Sequence, residues 1–337
     1  MKPRAEDNQE RSTQTGQQLH NSSEPFEWQE HKEAQEHKEN EEPTSLPAIA
    51  IPKLDEAEKG EVQKRVSISA VVVHETVREE GERELKRSIL GLACSALAAG
   101  LSMGFSMLAK GLLNAYLPAG APWAILIDSF GYSLGFLIVV LGRQQLFTEN
   151  TLTAILPLLA HPNRHTLWRV LRLWIIVLFF NLFGALLFAT FVVHVRVFPP
   201  QVRATFIHLA QVAITGNFGV MLAKGVFAGW LIALMVWLLP AAENTRLQTI
   251  IILTYFIGIG GFAHIIVDSV DAFYLINLGL LGWGSYLGSV LVPVLIGNII
   301  GGVSLVAVLN YGQVVGNGDG NSNGNGNSSS SSGEKTK

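Results

Sequence analysis

Leu146-Phe147-Thr148-Glu149-Asn150 and, later, Gly260-Gly261-Phe262-Ala263-His264 each interrupt a stretch that is otherwise apolar enough to lie in a membrane. The same short pattern answers each interruption at the same distance. Asn181-Leu182-Phe183-Gly184 begins 34 residues after Phe147, and Asn298-Ile299-Ile300-Gly301 begins 34 residues after His264. A polar break followed by Asn-x-x-Gly, found twice, predicts two related halves with a broken helix in each. Repeat-built transport proteins with broken helices place their sites near the bilayer midplane, where irregular backbone lines a cavity.

Outward from these breaks the chemistry changes sharply. Residues 1 to about 65 are rich in Glu, Gln, His, Lys and Ser, and residues 314–337 are mostly Gly, Asn and Ser. Neither part can bury enough apolar surface to offset its ordering entropy, so both are expected to be disordered. Between them, residues 88–313 are overwhelmingly apolar. The net charge of −3 averages over these parts and implies no particular partner. No basic stripe interleaved with aromatics is present, which argues against nucleic acid as a partner. No nucleotide-binding loop, metal-ligand cluster or catalytic triad is visible, so neither an enzyme nor a cofactor is expected. Glu-His-Lys-Glu occurs at 30–33 and at 36–39. It reads as a solvated charged stretch before it reads as a metal site. Cys94 is the single cysteine, so no intrachain disulfide can form. The first 40 residues lack an apolar h-region, and no secretory signal peptide is expected.

A spanning helix needs roughly 20 mostly apolar residues. Six stretches qualify, at about 88–113, 122–159, 167–195, 218–240, 247–267 and 287–312. The second is too long for one straight helix and holds Asp128, Arg143, Gln144, Gln145, Glu149 and Asn150. The predicted arrangement is a half-helix over 122–141, an irregular loop over 142–150 and a second half-helix to about 159. The fifth breaks around Gly258–His264. Short loops on one side carry Arg78, Arg83, Lys86, Arg87, Arg164, Arg169, Arg172 and Arg246, against Arg196, Arg203 and Lys224 on the other. The basic excess puts both termini in the cytoplasm. Residues 66–87 are open to two readings, an amphipathic juxtamembrane helix or a simple extension of the first span. Five Gly-x-x-x-Gly pairs (100/104, 131/135, 225/229, 284/288 and 297/301) predict close helix contact, within a protomer or between protomers.

His264 is the leading candidate for chemistry. It sits in a glycine-rich break, after Gly258, Gly260 and Gly261, with no acidic residue within three positions. An imidazole there can exchange a proton near neutral pH, or it can simply satisfy a carbonyl freed by the break. Thr148, in the other break, can donate to an anion or to the His264 ring, or cap the following half-helix. Tyr132, Phe136, Phe147 and Phe262 flank these positions and are candidates for hydrophobic constrictions. Asn181 and Asn298 are expected to bind backbone exposed by the breaks. Arg143 is expected to attract anions or to pair with Asp128 or Glu149. Asp268 and Asp271 are expected at an outer mouth, where they would repel anions.

Tyr132-Ser133-Leu134-Gly135-Phe136, Leu146-Phe147-Thr148, Gly261-Phe262-Ala263-His264 and the run Pro293 to Gly302 together resemble the formate/nitrite transporter family, in order, over about residues 85–313. The resemblance implies an all-α integral membrane protein with six transmembrane helices and an aquaporin-like inverted repeat, broken in its second and fifth helices. It further implies a homopentamer with one pore per protomer, in a bacterial inner membrane. The implied activity is passage of small monovalent anions such as formate, nitrite or acetate, with proton participation. The substrate-pathway residues it implies are His264, Thr148, Tyr132, Phe136, Phe147 and Asn298. The chain departs from the family pattern at four places. Ala213 stands where a vestibule lysine is expected and Gly229 where an asparagine of the fourth span is expected. Ala263 replaces the acidic residue before the histidine, and Asp268 replaces an asparagine after it. Lys224, Arg203 or Arg143 would then have to supply the positive charge. Two other functions stay open: a channel for neutral solutes such as water, glycerol or ammonia, and a membrane scaffold or sensor without transport.

Overall fold

The computed structural model describes residues 55, 56, 59 and 68–318. The acidic and basic repeats at 30–39 and the tail beyond residue 318 lie outside the described residues.

Short polar residues punctuate the chain, each spending its side chain on a helix N-terminus that would otherwise hold unpaired N–H groups. Ser69 accepts from Val72 and opens α1 (Ala70–Lys86). Ser88 accepts from Gly91 and opens α2 (Ile89–Ala115). Asn163 accepts from Thr166 at 2.8 Å to open α6 (Arg164–Val195), and Asn217 accepts from Val220 at 2.9 Å to open α8 (Phe218–Leu238). The cap at Ser88 makes α1 a helix separate from the first span. Its buried stripe of Val73, Val77, Gly81 and Leu85 packs on the protein's own helices. A Cβ at Gly81 would come within 2.0 Å of the Thr153 carbonyl, which shows how closely α1 is docked.

The first half continues with α3 (Ala124–Leu141), α4 (Phe147–Thr153) and α5 (Ile155–Ala160) before α6. The second half contains α8, α9 (Arg246–Gly260), α10 (Ile265–Asn277) and a last span. That span opens with one α turn at Trp283–Ser285 and a π-helical stretch at Tyr286–Leu291, then runs as α11 (Val292–Gly318). Five helical stretches are long and apolar enough to cross a membrane, and α9 with α10 form a sixth span bent by 51°. No strand occurs among the described residues. The fold is the six-span helical architecture expected from the hydropathy pattern, with both expected breaks.

Three features differ from the sequence reading. The first break is shorter than 142–150, because helix resumes at Phe147, where Asn181 takes its otherwise unpaired N–H. The third span starts at Arg164, three residues before the apolar run, because the Asn163 cap lets basic residues form its first turn. An unforeseen helix, α7 (Pro200–Ala213), joins the halves; Pro200 suits a first-turn position, which needs no N–H donor.

The halves are interlocked. Within each, the outer spans pack on each other, α2 on α6 and α8 on α11. The short helix after each break leaves its own half: α4 packs on α8 and α11, and α10 packs on α2, α6 and α7. The two breaks therefore meet inside the bundle.

Candidate functional site

Both breaks are held by the same device. Asn181 Oδ1 accepts from the Phe147 N–H at 2.9 Å, while its Nδ2 donates to Ala96 O at 2.7 Å and Gln145 O at 2.9 Å. Asn298 repeats this in the second half: Oδ1 accepts from Ile265 N–H at 2.9 Å, and Nδ2 donates to Gly225 O at 2.8 Å and Ala263 O at 2.9 Å. Each amide thus satisfies one N–H and one carbonyl left unpaired by a break, Gln145 O or Ala263 O, and ties them to a carbonyl of a neighbouring helix, Ala96 O of α2 or Gly225 O of α8. The close approach this needs comes from glycine. A Cβ at Gly100 would lie 2.1 Å from the Asn181 carbonyl oxygen, and one at Gly229 would lie 2.4 Å from that of Asn298. Gly229 therefore stands where the last span crosses closely, which accounts for the missing asparagine at that position. The correspondence extends to the helix ends. Gln144 N donates to Val139 O in one half and Phe262 N to Ile257 O in the other. The residue before each donor, Arg143 or Gly261, has left-handed backbone (φ 48° and 57°).

Where the breaks meet, Thr148 Oγ1 lies 2.8 Å from His264 Nε2, and both side chains are 0% exposed. His264 caps α10: its Nδ1 accepts from the Val267 N–H at 3.4 Å. The hydrogen-bond pattern then assigns the proton to Nε2, which donates to Thr148. Thr148 is not the cap of α4; it sits in the first turn of that helix, with its side chain turned to the histidine. Phe136 meets the His264 ring edge-on at 4.9 Å and lies tilted against Tyr132 at 5.5 Å, and Phe147 is edge-on to Trp174 at 5.9 Å. Phe136, His264, Tyr132 and Phe147 are buried, and Trp174 is half-buried. Phe262 stacks on Phe227 at 5.1 Å. The pair is therefore a neutral donor–acceptor couple enclosed by aromatic rings, able to bind an oxyanion or pass a proton. Asn298 lies nearby in the second break, with its amide engaged by backbone.

A cavity of about 120 Å³ lies between Tyr132, Phe262 and the inner face of α7, and neither Thr148 nor His264 lines it. Lys110, Lys224, Asp268 and Asp271 line it. Ala213 is also on this wall, so the position of the expected lysine does face the cavity, and Lys224 faces it from α8. Arg143 is exposed and pairs with neither Asp128 nor Glu149; Asp128 instead accepts from Asn114 at 2.7 Å. Arg203 does not line the cavity. Lys110 was missed by the sequence reading, although a lysine near the end of an apolar span is itself a sign of a polar surface nearby. A larger groove of about 450 Å³ beside Trp168 and Arg169 on α6 shares no residue with this site. No group of three potential metal ligands occurs among the described residues.

Comparison with known proteins agrees with this fold. The family model "Formate/nitrite transporter" matches residues 71–312. The inner membrane protein YfdC of Escherichia coli is 38% identical over 266 residues, covering 77% of this chain and 86% of that one. The formate channel BtFdhC of Bacillus thuringiensis is 26% identical, covering 69% of this chain and 91% of its own. A solved pentameric formate channel with formate bound superposes with a TM-score of 0.60 at 21% identity, covering 67% of this chain and 98% of that chain.

Proposed function

The chain belongs to the formate/nitrite transporter family, and from that premise we propose that it is a membrane pore for small monovalent weak-acid anions, formate, nitrite or acetate among them. The observation that carries this reading is the Thr148–His264 contact at 2.8 Å, made between the two breaks, with Phe136 on the histidine ring and Tyr132 packed on Phe136. Charge at that depth costs several kcal/mol. An anion reaching the aromatic constriction is therefore stabilised by any proton it can share. The His264 Nε2–H and the Thr148 hydroxyl donate at that point; as the imidazole passes its Nε2 proton to the solute, Nδ1 takes one that comes from the medium, and the solute crosses as a neutral acid. Asn298 acts on the pathway indirectly, by fixing the backbone that carries His264.

The reading extends to assembly and placement. A pentamer follows the description of the solved formate channel, with one pore in each protomer on our reading, and an inner-membrane location follows that of YfdC. The basic excess in the loops supports cytoplasmic termini.

The test is uptake of labelled weak acids into proteoliposomes at two pH values. Wild type takes up formate or acetate faster at the lower pH, and His264→Ala loses at least about tenfold of that rate. Equal uptake by both proteins would sink the histidine role. Wild-type vesicles no more permeable to the weak acids than protein-free ones, but quicker to shrink in glycerol or water assays, would favour the neutral-solute function instead.

A further inference from the structure

Asp268 is a carboxyl group with an unspent hydrogen-bonding site. It lies one turn beyond His264 on α10, its N–H donating to His264 O at 2.9 Å. It is 4% exposed and lines the 120 Å³ cavity, yet its Oδ2 has no hydrogen-bond partner. Tyr132, 6% exposed on the same wall, has a hydroxyl in the same condition. A buried polar atom without a partner is costly, and two of them on residues that line one cavity mark a place where a polar solute completes the set.

The charges around Asp268 indicate which solute. Asp271 on the same helix, Lys110 on α2 and Lys224 on α8 all act on it electrostatically, and Tyr132 on α3 and Tyr286 in the π-helical stretch feel its charge. Tyr286 already bonds Ser269 at 2.9 Å. The α7 wall is apolar, and no ion pair joins either aspartate to either lysine among the described residues. Two lysines face two carboxyls here, and Asp268 adds no negative charge while it holds a proton, so the cavity does not simply repel anions. It can draw an anion toward the lysines while presenting a carboxyl to it. A carboxyl and a weak-acid anion can share one proton, whereas the anion of a strong acid cannot take one.

We propose that Asp268 hands a proton to the incoming weak-acid anion in this vestibule, so that solute reaches Phe136 and His264 already neutralised, and so that protonatable anions are admitted over nitrate or chloride. The O–H bond of the Asp268 carboxyl breaks and one forms on a solute oxygen, leaving Asp268 as carboxylate. A hydronium ion from the medium restores it, by way of Asp271 one turn nearer the end of α10. The Tyr132 hydroxyl orients the solute during the exchange. This rests on the weak-acid reading above and adds a second protonation point to it.

Asp268→Asn tests it, because the change keeps shape and removes both the proton and the negative charge. Initial uptake of acetate and formate into proteoliposomes is measured from acid to neutral pH, alongside nitrate and chloride flux through wild type. The expected result is at least about a tenfold loss of weak-acid uptake in Asp268→Asn, with a flattened pH profile and with nitrate and chloride excluded by wild type. If Asp268 only repelled anions, the variant would transport faster, and unchanged or faster uptake overturns the proposal. Should Asp268→Asn fail to assemble, the wild-type comparison still decides, since nitrate or chloride passing as readily as formate overturns it. No weak-acid uptake by wild type would instead remove the underlying function, a different and separately visible result.

Discussion

Arg143 holds a side chain where backbone geometry asks for none. Its φ of 48° matches the 57° of Gly261 at the corresponding turn of the other half. A side chain in that region costs roughly 1–2 kcal/mol, part of which glycine gives back through its greater freedom when unfolded. Arg143→Gly is therefore expected to raise stability by about 0.5 kcal/mol. Because the side chain is exposed, uptake should stay unchanged; thermal unfolding in detergent and vesicle uptake check the two halves of that statement. His264 and Thr148 present the opposite case. Their residue types and the breaks that carry them could be read from the chain, but their contact could not. It pairs positions that do not correspond under the repeat: His264 precedes its half-helix, while Thr148 lies inside the other one.

Helix α1 is held on one face by apolar contacts and laced on the other by charge. Arg78 reaches both Glu75 and Glu82, and Arg83 and Lys86 reach back one turn to Glu79 and Glu82. The Arg78 guanidinium beside Glu75 holds its carboxyl below the ordinary value of 4.5, chiefly by their hydrogen bond. A carboxyl whose folded value is depressed adds stability above its unfolded value and loses it as pH falls through the folded one. Arg78→Ala should therefore speed amide exchange across Ala70–Lys86 at pH 7. The difference from wild type should close at acid pH, once the pH has fallen through the depressed folded value of Glu75 and its carboxylate is protonated in either protein. An equal gap at both pH values would mean that the contacts of Val73, Val77 and Leu85 alone hold the helix. The amphipathic pattern of α1 was visible in sequence. Helix α7 was not, since its polar and apolar residues do not look like a span, and its fit over α2 and α10 exists only once those helices are packed.

In the whole molecule, two equivalent asparagines carry equivalent loads. Asn181→Ala and Asn298→Ala each strand one buried N–H and one buried carbonyl of a break and lose the tie to a neighbouring helix, so each is expected to cost about 3 kcal/mol, and by similar amounts. Unfolding midpoints of both variants check this, and a large cost at one site alone would contradict a shared structural role. The glycine pairs divide in a similar way. Those at 100/104, 131/135, 225/229 and 297/301 meet backbone or side chains inside the protomer, whereas Gly284 and Gly288 meet nothing within 4 Å. The sequence by itself determined the six-span class, the two breaks and the asparagines that answer them. Those features are written in hydropathy, in charge at membrane depth and in the repeat of Asn-x-x-Gly, all of them local or periodic. Only the tertiary structure decided that α4 and α10 cross into opposite halves. That crossing brings Thr148 to His264 and gathers Lys110, Lys224, Asp268 and Asp271 around one cavity. These residues lie on four different stretches of chain, and helix packing, which no local pattern encodes, sets which of them face one another.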